Sequence, residues 1–539
     1  MNSVFPKPKG LAALPLIAPA VVGSAALLPI VPAVVGSAVL LPIALAMAAL
    51  VVADSAALLP IVPGVVDSAA LLPIVPGVVG NAVLLPIAPG ADLIKRMLER
   101  GATNITPKAR IMSILQQKPK LPAEFVKIRK GDKVLFLNPN VPDWIVVNQN
   151  GAAILQLFNG KRTVEDISES LSTFWRKGSK AEIIKFIENI ISETTFFSPL
   201  TIPQVYQPCG LRIVQLSLVD ECNLKCIYCY ATDRPKAANS LTREDHFRLI
   251  DDIHAISGNA EIVLTGGEPL LSPYVIELAE YAKSLGHQVH LLTNGTLINE
   301  KSAKTVSKTF NLIKISLDGS TPAIHEFHRG KGSFAKTMKA IDLLIQHDAP
   351  LQIAMTVTRK NIHDIGAMTK KFGSRLTFAP LFPAGRAKTN TELCITGKEY
   401  YEALSSVDGV KPLSHLCSSL AASKQKRIMK CAIGDAEISI SETGDVYPCQ
   451  LLHFPQFCAG NIKEQSLKSI YETSEALQDC RKLTVLEVAG CKKCDIRFIC
   501  GGACRARTFY EENRMDVSGS FCEYEKLAFI NGLFELHEL

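Results

Sequence analysis

Cys222, Cys226 and Cys229 stand in the stretch Asp220-Glu-Cys-Asn-Leu-Lys-Cys-Ile-Tyr-Cys-Tyr230, spaced C-x3-C-x2-C directly after the apolar run Ile213–Val219. Three thiolates on one short loop can each take one iron of a cubane cluster and leave the fourth iron open to an outside ligand. That arrangement points to chemistry at the metal. A zinc knuckle needs four protein ligands in a closed site, and no fourth Cys or His lies on this loop. A second array follows: Cys431, then Gly444-x4-Cys449, then Cys491-x2-Cys494-x5-Cys500-x3-Cys504, then Cys522. Taken alone, 491–504 also fits a zinc ribbon. Ten of the fifteen cysteines fall in these two arrays, and metal binding needs them reduced. The sequence therefore predicts a reducing, cytoplasmic setting in place of a disulfide framework. Cys209, Cys394, Cys417, Cys458 and Cys480 are left over and are expected to be free thiols.

Between the arrays, strand-like Glu261–Leu264 runs into Thr265-Gly266-Gly267-Glu268-Pro269, followed by His290-Leu-Leu-Thr-Asn-Gly295 and Lys314-Ile-Ser-Leu-Asp-Gly319. Paired glycines let backbone approach a ligand closely, and a carboxylate suits an ammonium group. Together with the cysteine loop, these segments resemble the radical S-adenosylmethionine (radical SAM) superfamily. The resemblance implies that the loop carries a [4Fe–4S] cluster and that Gly266, Gly267, Glu268 and Pro269 grip the methionyl amino group of SAM. It places Tyr228 near the adenine, and Ser316, Asp318 and Arg329 at the ribose and carboxylate. The implied chemistry is reductive cleavage of SAM to methionine and a 5′-deoxyadenosyl radical, which takes hydrogen from an unactivated carbon. A flavodoxin or ferredoxin is the implied electron donor.

The second array resembles the SPASM extension, which houses two auxiliary [4Fe–4S] clusters. By that resemblance Cys491, Cys494, Cys500 and Cys522 hold the outer cluster, and Cys431, Cys449 and Cys504 the inner one. The inner set is one ligand short. Either a spare cysteine such as Cys417 completes it, or its iron stays open for a substrate thiolate.

Apolar runs at 213–219, 260–264, 288–292, 312–317, 351–357 and 375–381 alternate with helical stretches, which predicts an α/β fold with a parallel sheet. The superfamily resemblance makes this a partial (β/α)6 barrel with the cluster at its C-terminal mouth. Upstream, Val134–Leu137 and Trp144–Val147 read as strands, and a helix follows Asn150-Gly151. Thr163 with Asp166, and Ser179 with Glu182, are capping-box starts for two more helices. This winged-helix-like unit, from Val-Val-Asn-Gln-Asn-Gly through Gly-Lys-Arg-Thr-Val-Glu-Asp-Ile, resembles the PqqD-like domain. In that family a precursor peptide's leader adds a strand to the sheet edge beside the last helix, here within residues 127–195.

Residues 11–90 are an apolar repeat: Ser24-Ala-Ala-Leu-Leu-Pro-Ile recurs from Ser37, Ser55, Ser68 and Asn81. Frequent prolines argue against spanning helices, and the tract runs past any signal-peptide core. It is read as a disordered, elastin-like coil outside the catalytic unit, with membrane contact a less favoured reading. Met97 and Met112 are candidate starts if the tract is translated repeat DNA. The net charge of +7 over 539 residues is small and dispersed, with no basic stripe for nucleic acid. The expected divisions are a repeat tract (1–92), a linker (93–125), the small domain (126–196) and the barrel (210–392). A bridge (393–428), the cysteine-rich extension (429–525) and a tail (526–539) complete them.

The function these features predict is maturation of a ribosomally made peptide by thioether or carbon–carbon crosslinking. Sulfatase-type formylglycine formation is disfavoured, because Gln450 stands where that family carries a basic Asp. Cofactor or small-molecule chemistry is a further alternative, as is an electron-transfer or peptide-chaperone iron–sulfur protein without SAM turnover.

Overall fold

The computed structural model describes residues 112–174, 179–193, 208–233, 239–412 and 428–536. The repeat tract, Met97 and Cys417 lie outside them.

The first element is a small antiparallel sheet, β1 (Val126–Lys130), β2 (Lys133–Asn138) and β3 (Asp143–Asn148), in that order. Helices α1 (Gln149–Gln156), α2 (Val164–Phe174) and α3 (Lys180–Glu193) follow. Both expected capping boxes form: the Asp166 amide donates to Thr163 Oγ1 at 3.0 Å and the Glu182 amide to Ser179 Oγ at 3.2 Å. In each, the partner carboxylate takes the amide of the capping residue. Strand β1 is an addition to the sequence expectation. Its Val-Lys-Ile-Arg-Lys stretch is a half-exposed edge whose two apolar residues give a weak signal. Alternation along β2 and β3 splits the side chains: Val134, Phe136, Ile145 and Val147 pack on the domain's own helices.

The second sheet runs β12-β11-β10-β4-β5-β6-β7-β8-β9. Its strands β4 (Ile213–Val219), β5 (Glu261–Gly266), β6 (Gln288–Thr293), β7 (Leu312–Ser316), β8 (Leu351–Val357) and β9 (Leu376–Pro380) are parallel and lie in chain order. They match the six predicted runs within a residue or two. Between them lie α4 (Arg243–Ser257), α5 (Val275–Ser284), α6 (Ala303–Thr309), α7 (Pro322–Arg329), α8 (Ser333–Gln346) and α9 (Ile365–Phe372). Val214, Leu216, Leu218, Ile262, Leu264, Ile313 and Ile315 alternate onto the helix side and form the main core.

The sequence did not reveal what happens at β4's outer edge. Strand β10 (Glu437–Ile440), more than two hundred residues downstream, pairs with β4 in parallel, and β11 (Asp445–Tyr447) and β12 (Gly460–Asn461) extend the sheet antiparallel. The first cysteines of the second array thus grow from the same sheet as the first loop. Helices α10 (Gly397–Ser405), α11 (Leu467–Thr473), α12 (Glu475–Lys482), α13 (Arg497–Cys500), α14 (Arg505–Glu512) and α15 (Cys522–Leu536) complete the described chain. The stretch 526–536, expected as a tail, is the body of α15 and buries Ala528, Phe529, Leu533 and Phe534. Among the described residues no helix is long and apolar enough to cross a membrane.

Candidate active site

The loop after β4 is pinned from three sides. The amides of Gly267 and Glu268 donate to the carbonyls of Val219 (2.7 Å) and Glu221 (2.9 Å), and the Ile227 amide donates to the His328 carbonyl (2.9 Å). Beyond β9, the Arg386 amide donates to the Cys229 carbonyl and Asn390 Nδ2 to the Ile227 carbonyl. Such approach needs glycine: a Cβ on Gly267 would lie 2.1 Å from the Glu221 carbonyl oxygen, and one on Gly266 2.4 Å from that of Val219. Gly385 plays the same part against the Cys229 carbonyl, also at 2.1 Å. No motif in the sequence flagged it.

Burial pushes the Cys226 thiol up, with Arg329 opposing and Asp318, Cys229 and Cys222 adding to the rise. Cys222 is raised by burial too, with Glu268 and Cys229 contributing. A metal bound at Cys222 and Cys226 would have to displace the protons that burial favours there.

Glu268 is 1% exposed. It accepts from Thr293 Oγ1 (2.6 Å), the Asn294 amide (2.8 Å) and the Leu270 amide (3.2 Å). The Thr-Asn-Gly stretch had no role beyond its resemblance; here it orients this carboxylate. Burial still raises the Glu268 pKa above its ordinary 4.5, against its hydrogen bonds and the charge of Arg329, and Arg329 is itself ion-paired to Asp318. A buried carboxylate in want of a cation fits an ammonium ligand. Because burial favours the protonated acid, its stabilising share is present below 4.5 and lost as pH rises toward the elevated value. Urea midpoints at about pH 5 and about pH 8 are expected to differ less in Glu268→Gln than in the parent chain.

Asp318, fully buried, is the hub of a second hydrogen-bonded group. It receives Arg329 Nε at 2.5 Å, the Tyr228 hydroxyl and the Thr356 amide at 2.9 Å, while Asn361 Nδ2 holds its carbonyl. Burial pushes its pKa up, but Arg329 and the donated hydrogen bonds outweigh this and leave it lowered. The expected SAM contacts Tyr228, Asp318 and Arg329 are thus bound to one another, and Arg329 Nη1 lies 4.0 Å from Cys226 Sγ. Ser316 ends β7 half-buried, and Pro269 opens the single turn after Glu268. All the expected loop and SAM residues therefore gather at the C-terminal ends of β4, β5 and β7 and at the end of α7.

The second array is spread over three apolar clusters. Cys431, Cys449 and Cys504 share one apolar cluster with Tyr447, Leu452 and Phe457. Burial raises Cys449 strongly, with Glu437, Cys504 and Cys431 adding to it. Cys491 is raised by burial against Arg505, with Cys522 and Cys494 adding; Cys500 is likewise raised, with Glu525 and Cys522 contributing. Cys494 and Cys500 lie against the apolar cluster of Ile496 and Ile499, while Cys491 belongs to a separate one with Val485, Val488 and Phe498. Arg505, 1% exposed, opposes the rise in Cys431, Cys491 and Cys522 and so supplies one buried positive charge to both expected sets. Of the leftover thiols, Cys480 lies in the inner set's cluster and is pushed up to about 12 by burial, with Cys431 among its neighbours. Among the described residues no three Cys, His, Asp or Glu side chains converge as they would on a single ion. A cubane, whose irons each take one thiolate, needs its ligands spread wider.

Gln450 links the two regions. Its Nε2 donates to the Tyr230 hydroxyl and, at 3.3 Å, to Thr265 Oγ1. Tyr230 follows Cys229, Thr265 precedes Gly266, and Gln450 itself follows Cys449.

Residues 216–372 match the family model described as the radical SAM superfamily, and residues 431–495 that described as SPASM, an iron–sulfur cluster-binding domain. The AdoMet-dependent heme synthase of Oleidesulfovibrio alaskensis is 30% identical over 346 residues, which span 58% of this chain and 87% of the relative. The antilisterial bacteriocin subtilosin biosynthesis protein of Bacillus subtilis is 32% identical over 302 residues, covering 53% of this chain and 65% of the relative. The structure of native anSMEcpe with bound AdoMet superposes with a TM-score of 0.51 at 23% identity, over 60% of this chain and 98% of that one. At that identity the likeness bears on the fold alone.

Proposed function

The chain belongs to the radical SAM superfamily and carries a SPASM iron–sulfur domain, and from that premise we propose that it is a SAM-dependent enzyme that modifies a ribosomally made precursor peptide. The observation that carries this reading is the small domain of residues 126–193, whose sheet is built onto the cysteine-rich extension instead of hanging from a linker. The bacteriocin biosynthesis relative supports it. In this reading the domain is winged-helix-like and PqqD-like. The leader pairs with the β3 edge beside α3, where Phe186 packs close to Val147 and Gly151.

Cys222, Cys226 and Cys229 hold the SAM-binding [4Fe–4S] cluster, which when loaded supplies the electron that cleaves SAM and so generates a hydrogen-abstracting radical. Glu268 binds the methionyl ammonium, and Gly266, Gly267 and Pro269 bring backbone up to it. Tyr228, Ser316, Asp318 and Arg329 line the rest of the SAM site, with Asp318 keeping Arg329 and Tyr228 in place. Cys491, Cys494, Cys500 and Cys522 hold an outer auxiliary cluster; Cys431, Cys449 and Cys504 hold an inner one. Cys480 joins Cys417 and a substrate thiolate as a candidate fourth inner ligand. Gln450 cannot act as the base that an Asp supplies in sulfatase-type maturation, because a carboxamide does not take up a proton near neutral pH. The outcome is then a thioether or carbon–carbon crosslink, in the cytoplasm, with a flavodoxin or ferredoxin as donor.

A second reading, a tetrapyrrole or other cofactor as substrate, is favoured by the 30% identity across 87% of the heme synthase. Hydrogen exchange on the full chain separates the two. A short peptide encoded beside the gene is expected to slow exchange across 143–148 and 180–193 and to stimulate 5′-deoxyadenosine release under anaerobic reduction. No binding by any such peptide, with turnover stimulated by a tetrapyrrole, would reverse the order of the two readings.

A further inference from the structure

The small sheet is buried on both faces. Away from its own helices, Leu135, Leu137, Trp144 and Val146 pack on Ile496 and Ile499 and on α15, and Cys494 and Cys500 lie against the same apolar cluster. Ile496, Arg497 and Ile499 all belong to the five residues between Cys494 and Cys500. Arg497 spans the junction: its Nη1 donates to the Cys494 carbonyl at 2.9 Å and its Nη2 to Asn140 Oδ1, in the β2–β3 turn, at 2.6 Å. A second tie lies nearby, where Lys130 Nζ donates to Asn531 Oδ1 at 2.8 Å.

The loop that makes this contact has little structure of its own. Its only regular element is the four-residue α13, too short to be stable without anchors. Inside it the amides of Ile499 and Cys500 donate to the Ile496 carbonyl, and its two ends are the expected cluster ligands Cys494 and Cys500. We propose that Arg497 is a positioning residue through which the outer cysteine site and the peptide-recognition domain hold each other in place: loading the outer site docks the sheet of residues 126–148, and the docked sheet retains the metal. The coupling is reciprocal because both events favour one loop conformation. It rests on the reading of Cys491, Cys494, Cys500 and Cys522 as an iron–sulfur site. Its consequence is that the enzyme positions its peptide only when the outer site is filled.

The test is hydrogen exchange of 133–138 and 143–148 in the full-length, iron- and sulfide-reconstituted protein, alongside the rate of iron loss to a chelator. Cys494→Ser is expected to speed exchange in both strands by about tenfold or more, while Cys449→Ser, at the inner site, leaves them unchanged. Arg497→Ala keeps every cysteine and is expected to speed both exchange and iron loss by about tenfold, on the scale of losing a charge-assisted hydrogen bond. Arg497→Lys does not restore either rate, because one ammonium cannot span the two acceptors as the fork does. Unchanged exchange in Cys494→Ser, or an equal rise in Cys449→Ser, overturns the coupling. Should Cys494→Ser fail to accumulate, unchanged exchange and iron loss in Arg497→Ala overturn it on their own. Wild-type protein with no iron at these four cysteines would instead sink the reading of the site, which metal analysis distinguishes from a failure of the coupling.

Discussion

Gly267→Ala is expected to weaken SAM binding and to lower 5′-deoxyadenosine formation by about a hundredfold or more, since misplacing reacting groups by about 1 Å already costs that much in rate. The added Cβ would stand 2.1 Å from the carbonyl oxygen of Glu221, 2.5 Å from its carbonyl carbon and 2.6 Å from the carbonyl oxygen of Asp220. All three are backbone atoms, so no side chain can swing aside. They belong to the two residues before Cys222, and the next residue on the glycine's side is Glu268. Relief therefore separates the cysteine loop from the carboxylate proposed to hold SAM, and it breaks the hydrogen bonds to Val219 and Glu221. Gly366→Ala is the control. Its nearest neighbour would be 3.9 Å away and its backbone needs no positive φ, so it should bind SAM as the parent does. Calorimetric titration of SAM onto both variants decides the matter, and parental affinity in Gly267→Ala would refute the steric argument.

Asp318→Ala is expected to destabilise the fold by about 3–5 kcal/mol, the cost of stranding a buried charge. Asp318 is fully buried and Arg329 only 8% exposed, so water cannot replace the lost partner. The Tyr228 hydroxyl and the Thr356 amide lose their acceptor at the same time. Removing the guanidinium as well, in Asp318→Ala with Arg329→Met, should recover a substantial part of the loss, because the penalty lies in the unpaired charge. The pH dependence has a definite sign. With its folded pKa below the ordinary 3.8, Asp318 contributes stability that is present above 3.8 and fades as pH falls through the lowered value. Asp318→Asn should lack that acid limb in urea unfolding. If the double variant is no more stable than Asp318→Ala, the ion pair is not the source of the effect.

Much of the site could be read from the chain because its parts are contiguous. The C-x3-C-x2-C loop, Gly-Gly-Glu-Pro and the six apolar runs each lie within a few residues, and period-two alternation marks the strands without help from elsewhere. The capping boxes at Thr163 and Ser179 were legible for the same reason: donor and acceptor are three residues apart. Gly385 was not, because its need for a missing side chain comes from Cys229, more than 150 residues earlier. The α15 helix was misjudged as a tail because its apolar residues circle it. A helix buried on several sides shows no polar face in its sequence.

The sequence by itself determined which cysteines are candidates to hold clusters, which carboxylate is the candidate to meet an ammonium, and the parallel strands that carry both. Tertiary structure decided how these parts constrain one another. It joined β10 to β4, paired Asp318 with Arg329 and Tyr228, drew Gln450 onto the first cysteine loop, and set the small sheet on the residues between Cys494 and Cys500. Local patterns are written by neighbours a few bonds apart, whereas these contacts join segments up to several hundred residues distant. Their partners are selected only when buried faces and hydrogen-bonding groups must all be satisfied in one packing.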